Sequence, residues 1–158
     1  MSPGIGVTSA AFTPQDPSFE SRVRASFDKQ HFMSTIGARL VRVAPGEVDV
    51  EVATRDDLVQ QHGFLHAGVV SSAADSACGY AALSLMPAGV AVLSIEFKTN
   101  LLAPATGDRI VARARVIRAG RTVTVCWAEV VAIAGTTERL VATMVATMMT
   151  VRDRGLTD

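Results

Sequence analysis

The clearest periodic signal in the chain is a strict alternation of valines and carboxylates between Glu47 and Val52. The run EVDVEV places its valines on one side and its acidic residues on the other, which is typical of a half-exposed strand. Pro45 and Gly46 indicate a turn just before it, and residues 37–42 could begin a preceding strand. The sequence therefore predicts two strands joined by a turn.

Residues 66–86 follow a different pattern, because small and apolar residues occur on every side of a helical projection. The segment HAGVVSSAADSACGYAALSLM predicts a long helix that is buried on most sides. Residues 18–33 carry apolar residues near helical spacing and predict one short amphipathic helix. Residues 1–17 have no periodicity, so we expect a flexible N-terminal arm there, with residues 18–158 forming a single domain.

Four more strands are predicted after the long helix, and short turns rich in glycine separate the last three of them. Their ranges are 90–102, 109–118, 121–134 and 138–151. Turns this short imply antiparallel neighbours. About six antiparallel strands wrapped around one central helix would bury both, which predicts an α+β fold. Several strands are apolar on both sides, which indicates that another subunit covers the outer side of the sheet.

Composition and charge narrow the class of protein. The chain has 158 residues, 49% of them apolar and 19% charged, and its formal net charge is zero. These values favour a folded domain and argue against a dedicated nucleic-acid-binding protein. The uncharged run from Ser76 to Ile95 is as long as a membrane span, but Pro87 and Gly89 interrupt it. A buried helix followed by a strand is the better interpretation, and no membrane association is expected.

The two cysteines and the N-terminus bear on the cellular compartment. Cys78 falls in the helical pattern and Cys126 in a strand, so we interpret them as two buried free thiols. No Lys or Arg precedes Arg22, and the N-terminal sequence does not resemble a signal peptide. Both observations favour a cytoplasmic protein.

Asp75 is the only charged residue of the predicted central helix, His66 aside. Burial removes water from a carboxylate and tends to raise its pKa. Alone, Asp75 could be a structural residue that bonds to the backbone or to a serine. Directly before the helix, however, residues 60–68 read QQHGFLHAG and supply an amide, two histidines and two glycines. The free N–H groups of a helix N-terminus can stabilise a developing oxyanion, so this pairing indicates a catalytic site.

Simpler roles remain open for several of these residues, and a metal site is not expected. His66 could cap the helix, His62 could be an exposed loop residue, and Gly63 and Gly68 could serve turns and packing. The two histidines lie four residues apart, but HExxH is missing and Gly63 interrupts any helix there. The chain also lacks a Walker loop, GxGxxG and GxSxG. We therefore expect no metal and no bound cofactor.

The motifs Q-x-x-G-x-x-H-A-G and A-D-S-A-C-G-Y-A-A resemble the phenylacetate-pathway (PaaI-like) branch of hotdog-fold thioesterases. That family has Asn or Gln, then Gly, then His-Gly-Gly, then an acid nine residues after the histidine. Gln60, Gly63, His66 and Asp75 occupy these positions here. The later segments SIEFKTNLLAPATGD and RAGR are also similar to the family, and the resemblance covers most of the chain.

The resemblance implies a hotdog fold and hydrolysis of an acyl-CoA thioester to a free acid and CoA. Asp75 would be the nucleophile or general base, and Gln60 would place the thioester or the lytic water. The backbone N–H of Ala67 would donate to the oxyanion, while His66 orients the loop. Ser94 matches a position where some relatives hold the water with a hydroxyl. Ala67 departs from the usual glycine, and its methyl group narrows the approach to the carbonyl.

The expected ligand contacts lie on both sides of these motifs. Phe64 and Leu65 could line an acyl or aryl pocket. Five of the thirteen arginines fall between positions 109 and 121. Gly120 and Arg121 lie at a turn, where a phosphate of CoA could bind. A solvated strand face is the alternative for each arginine.

Helix geometry predicts a shared site. Ala67 and Asp75 are eight residues apart, or about 12 Å along a helix, whereas a reacting carbonyl needs both groups within about 3–4 Å. We therefore expect an obligate homodimer that pairs Ala67 of one chain with Asp75 of the other, and a dimer of dimers through the apolar outer strand faces.

The rival functions are a hotdog hydratase or dehydratase and a non-catalytic acyl-CoA-binding domain. Having both Gln60 and Asp75 favours a thioesterase.

Overall fold

The computed structural model describes residues 12–152, 154–156 and 158. Its elements in chain order are α1 (Phe19–Phe27), α2 (His31–Thr35), β1 (Ala38–Ala44), β2 (Glu47–Ala53), a 3-10 turn (Asp56–Leu58), α3 (Ala67–Leu83), β3 (Ala91–Leu101), β4 (Arg109–Ala119), β5 (Val123–Ala134) and β6 (Thr137–Val151). The predicted strands all form, with ends displaced by one or two residues.

The six strands form one antiparallel sheet in the order β1-β2-β4-β5-β6-β3. α3 packs against every strand of this sheet. The predicted hotdog fold, a six-stranded sheet around one long helix, is therefore confirmed. β3 follows α3 in the chain and pairs with β6, which leaves β3 at the edge of the sheet.

The core lies between α3 and the inner side of the sheet. Val48, Val50 and Val52 are fully buried, as the alternation in β2 predicts. α3 presents mainly alanines and one cysteine to the strands, and Ala73, Ala77 and others are completely inaccessible. Small side chains allow the helix to lie close to the curved sheet at the density of a protein interior.

The prediction of one helix over residues 18–33 is wrong, because the structure divides this segment into α1 and α2. Five positions separate Phe27 from Phe32, so the apolar spacing leaves the helical period there. Gln30 takes an extended conformation and begins α2. The N–H of Gln30 bonds to the carbonyl of Phe27 three residues back, which tightens the end of α1.

The predicted N-terminal arm lies partly outside the described residues, since residues 1–11 are not described. Within residues 12–17, Phe12 packs against the core and Asp16 is buried. The division at residue 17 stays a prediction. Among the described helices, none has the length and apolar character needed to cross a membrane.

Arg22 caps the carboxyl end of α3. Its guanidinium donates to the carbonyls of Leu83 at 3.1 Å, Met86 at 2.7 Å and Pro87 at 2.6 Å. Its Nε lies 3.2 Å from the Asp16 carboxylate, and both side chains are at most a tenth exposed. The last carbonyls of a helix have no partner within the helix and carry its negative dipole end. Arg22 therefore fixes α1 and the N-terminal segment to the central helix.

We predict that Arg22→Met lowers the free energy of unfolding by about 3 kcal/mol, because it leaves buried carbonyls and a carboxylate without their donor. Urea denaturation measures this loss. Arg24→Met is the matched control, since Arg24 forms an exposed pair with Glu20 and should change stability by less than about 0.5 kcal/mol. Equal losses in the two variants would contradict the capping role.

Candidate active site

The start of α3 presents a free backbone donor. His66 is the N-cap residue, and its Nδ1 accepts a hydrogen bond from the Gly68 N–H at 2.9 Å. The N–H of His66 donates to the carbonyl of Leu58 at 2.9 Å. Within the described part of the chain, no hydrogen bond occupies the N–H of Ala67, the first helical residue. This N–H can therefore donate a hydrogen bond to a ligand oxygen.

The loop before α3 is held in a tight turn. The N–H of Gln60 donates to the carbonyl of Phe64 at 2.8 Å, and the N–H of Gly63 donates to the carbonyl of Gln60 at 2.9 Å. Gly63 has φ +82°, a conformation that favours glycine. The side-chain oxygen of Gln60 accepts from the N–H of His62. The loop therefore needs Gly63 for its turn, and the Gln60 side chain folds back on its own loop.

A cavity of about 410 Å³ opens beside the start of α3. It brings together four predicted site residues: Gln60, Phe64, Leu65 and Ala67. Its other wall was not predicted and comes from residues 101–105, at and after the end of β3, together with Val70 and Val141. The signal in the sequence is the apolar run LLAPA, which the strand pattern and the family resemblance both include but which neither assigns to a ligand pocket.

The carboxylate of Asp75 lies in the middle of α3, beside β3. The hydroxyl of Ser94 donates to its Oδ1 at 2.6 Å. Burial raises the pKa of Asp75 above its ordinary value, and the hydrogen bond from Ser94 partly lowers that pKa again. The structure therefore brings Asp75 and Ser94 together, as the family pattern implied, although their roles stay predictions.

Asp75 and Ala67 face different cavities of the same chain. Asp75 and Ser94 line a smaller cavity of about 90 Å³, and this cavity shares no residue with the one beside Ala67. Eight residues of helix separate the two groups, which is about 12 Å along the axis. A single chain does not bring the free N–H and the carboxylate to one reacting atom.

Gly120 and Arg121 lie in the turn between β4 and β5. A side chain at Gly120 would come within 2.5 Å of the Val123 carbonyl oxygen, so the turn requires glycine. Arg121 is exposed. The register aligns Thr124 of β5 with Met148 of β6 and then with Ser94 of β3. This turn is therefore at the same end of the sheet as Asp75.

Three residues beside Asp75 were missed in the sequence. Gln30, Tyr80 and Asp158 all line its cavity, together with Ser76. Tyr80 is the only tyrosine of the chain and lies on the same helix as Asp75, which was a usable signal. Gln30 lies at the break between α1 and α2, and no local pattern marks it. Its place depends on how α1 packs against α3.

The two cysteines and the potential metal ligands are the other reactive side chains of the described residues. Cys78 and Cys126 are free and buried, as predicted, and the Cys126 thiol lies 3.4 Å from the Cys78 carbonyl oxygen. The hydrogen bond with the neighbouring Cys126 thiol, followed by burial, raises the pKa of Cys78. In the described part of the chain, no three His, Cys, Asp or Glu side chains are grouped as a metal site.

Comparison with known proteins shows that the chain is similar to thioesterases and esterases. The profile of the thioesterase superfamily matches residues 62–138. A candidate esterase from Halobacterium salinarum is 30% identical over 121 residues, which is 73% of this chain and 80% of that protein. The crystal structure of a thioesterase family protein from Silicibacter pomeroyi is 50% identical, with a TM-score of 0.83 over 84% of this chain and 98% of that one. The PaaI protein of Escherichia coli has the same fold at 20% identity, with a TM-score of 0.76 over 87% of this chain and 96% of that one.

We predict that Ser94→Ala raises the pKa of Asp75 further, because the substitution removes the hydrogen bond that lowers it. Titration of the Asp75 carboxyl by carbon-detected NMR measures the shift. Ser72→Ala is the control, since the Ser72 hydroxyl bonds to the Gly68 carbonyl on the same helix and does not contact Asp75. An unchanged or lower pKa in Ser94→Ala would contradict the assignment.

Proposed function

The chain belongs to the thioesterase superfamily, and on that premise we propose that it hydrolyses an acyl-CoA thioester to a free acid and CoA. The observation that carries this proposal is the half-buried carboxylate of Asp75, held by Ser94 beside a cavity. A free helix N-terminal N–H at Ala67 supplies the second group that thioester hydrolysis needs.

The proposed reaction uses each group at a stated atom. The Asp75 carboxylate attacks the thioester carbon directly, or takes a proton from a water that attacks it. Negative charge then develops on the thioester oxygen, where the N–H of Ala67 stabilises it. The carbon–sulfur bond breaks and the CoA thiolate leaves. On the general-base route, Asp75 passes the proton it took from water to this thiolate. On the direct route, water then hydrolyses the anhydride between Asp75 and the acyl group, which releases the acid and supplies the proton for the thiolate. Ser94 keeps the carboxylate oriented, and His66 holds the Ala67 N–H by capping the helix.

We propose an obligate homodimer with two shared sites. The Ala67 N–H and the Asp75 carboxylate line separate cavities in one chain, so a second chain is the simplest source of the missing group. The edge strand β3 supports this, because Leu93, Ile95 and Phe97 are about half exposed. An unpaired edge with exposed apolar side chains is a surface for pairing with another chain.

A dimer of dimers is also proposed, through the outer side of the sheet. Val123, Leu140 and Val145 are exposed there, on β5 and β6. Exposed apolar side chains on neighbouring strands favour a covering subunit. Size measurement in solution distinguishes a tetramer from a dimer.

The proposed substrate contacts follow the two ends of the site. The apolar cavity lined by Phe64 and Leu65 would hold the acyl or aryl group. Arg121, exposed beside Gly120 at the Asp75 end of the sheet, would bind a CoA phosphate.

CoA enters only as part of the substrate, and we propose no other cofactor, no metal and no nucleic-acid partner. Two buried free thiols support a cytoplasmic location.

The geometry disfavours the hydratase alternative. A hydratase of this fold needs a histidine and an acid that act together, whereas His66 caps α3 through Nδ1 and lines a different cavity of the chain from Asp75. A non-catalytic acyl-CoA-binding domain would have no need for a desolvated carboxylate at Asp75, because burial of a charge lowers stability. Thiol release decides between this binding role and hydrolysis.

We predict that Asp75→Asn lowers thiol release at least about a hundredfold across short, long and aromatic acyl-CoA esters, because it removes the nucleophile or base. Equal rates in wild type and variant would refute the role of Asp75. Tight acyl-CoA binding without hydrolysis by the wild type would instead favour the binding domain.

The same variant has an expected effect on stability, which serves as its folding control. The folded pKa of Asp75 is raised, so its charged form destabilises the fold at neutral pH. Asp75→Asn should therefore melt at or above the wild-type temperature at pH 7. This gain should disappear as the pH falls below the unfolded pKa of about 3.9, where wild-type Asp75 is protonated in both states. A large drop in melting temperature would mean that lost activity reflects misfolding.

We predict that Asp75→Asn and Ala67→Pro, each inactive alone, recover activity when co-expressed as mixed dimers. Proline at the first helical position removes the N–H and little else, and His66 already has the extended conformation that precedes proline. In a shared site, each mixed dimer has one site with an intact N–H and an intact carboxylate. Random mixing should give about a quarter of wild-type activity.

The outcome separates shared from single-chain sites. If each chain carried a complete site, every site in a mixed dimer would have one defect and no activity would return. An active monomer, measured by light scattering during turnover, would also contradict the shared site. The separately purified variants, assayed without mixing, are the controls.

A further inference from the structure

The cavity that contains Asp75 is small and polar. Besides Asp75 and Ser94, its polar lining side chains are Gln30, Ser76, Tyr80 and Asp158. Its volume is about 90 Å³, and one water occupies about 30 Å³ in the liquid. The cavity therefore has room for a few water molecules beside the carboxylate, and little room for an acyl chain.

Hydrogen-bond directions around the cavity can be assigned from the acceptors. The Ser26 hydroxyl donates to the Asp158 carboxylate at 3.2 Å, so the contact between Ser26 and Tyr80 at 3.2 Å must use the phenol as donor. Burial raises the pKa of Tyr80, which keeps this proton on the phenol. The Tyr80 oxygen in turn accepts from the Gln30 amide at 2.8 Å.

All but one of the other side-chain donors around the cavity already have a hydrogen-bond acceptor. The Ser94 hydroxyl donates to Asp75, and the Ser76 hydroxyl donates to the side-chain amide oxygen of Gln30 at 3.4 Å. A primary amide carries two N–H groups, and only one of those of Gln30 goes to Tyr80. Among the described side chains that line the cavity, the second N–H of Gln30 is thus the donor left for a water.

We propose that Gln30 orients the water that Asp75 activates. This inference rests on the proposed thioesterase function and assigns the reaction to a bound water. The water donates a hydrogen bond to the carboxylate oxygen of Asp75 that Ser94 does not contact. It accepts a hydrogen bond from the second N–H of the Gln30 amide. Its other lone pair attacks the thioester carbon, its proton moves to Asp75, and that proton passes to the leaving CoA thiolate. The products are the carboxylic acid and CoA.

Gln30 is better placed for this task than Gln60 within one chain. The Gln60 side chain bonds to its own loop and lines the cavity beside Ala67. Gln30 approaches from the Asp75 side and is fixed at both ends of its amide, by Tyr80 and by Ser76. A fixed amide costs no reorganisation when the water reacts. Gln30 is therefore a positioning residue, and Gln60 is left free to contact the thioester.

The test is Gln30→Met, which keeps the length of the side chain and removes its donors. We expect kcat for acyl-CoA hydrolysis to fall about tenfold or more while KM stays within twofold, because the water and not the substrate loses its partner. Methanol added as a competing nucleophile gives a second readout. The ratio of methyl ester to acid should be higher in the variant, since water no longer has a fixed place. Gln15→Met, at an exposed glutamine outside the site, is the matched control.

The outcomes separate this inference from the proposed function. Loss of kcat together with a higher ester ratio supports Gln30. Unchanged kcat, or a higher KM at unchanged kcat, overturns the role of Gln30 and leaves the thioesterase proposal intact. A wild type that hydrolyses no acyl-CoA overturns both. If Gln30→Met does not fold, Gln30→Asn decides by the same criteria, because its amide is one methylene too short to reach.

Discussion

The close packing of α3 against the curved sheet is the constraint on which the rest of the structure depends. Every strand contacts this helix, and its inward side chains are small enough to be completely buried. A larger residue at Ala73 or Ala77 would push the sheet away, because protein interiors have no spare volume. The helix is fixed at its start by His66 and at its end by Arg22. A rigid, buried helix is what allows one carboxylate to be held in a partly dehydrated place.

The same helix separates the two groups that the chemistry requires. Its first N–H, at Ala67, and its carboxylate, at Asp75, face different cavities because eight residues of helix lie between them. The edge strand β3 carries Ser94 to Asp75 and exposes apolar side chains beside it. The proposed reaction and the proposed self-association therefore involve the same strand, because the apolar edge that would pair with a second chain adjoins the Asp75 carboxylate.

Much of the fold was predictable because its signals are local. The alternation in β2 and the short turns between β4, β5 and β6 set the strands and their antiparallel order. The prediction of a single helix over residues 18–33 was wrong, because a contact between distant residues interrupts the local helical period. Gln30 takes an extended conformation, and its side chain bonds to Tyr80 of α3. Within the site, helix geometry alone indicated that Ala67 and Asp75 lie about 12 Å apart, whereas the side chains that line the cavity beside each of them were visible only in the folded chain.

The sequence by itself determined the class of fold, the acidic residue of the central helix and the glycine turn before it, because periodicity and turn chemistry act between near neighbours. The tertiary structure decided which groups surround Asp75. Gln30 is 45 positions from Asp75 along the chain, and Asp158 is 83 positions away. They share a cavity only because α1 packs against α3 and because the Asp158 carboxylate bonds to Ser26 and to the N–H of Val92. Hydrogen bonds between distant segments carry no local pattern, so no reading of near neighbours could have found them.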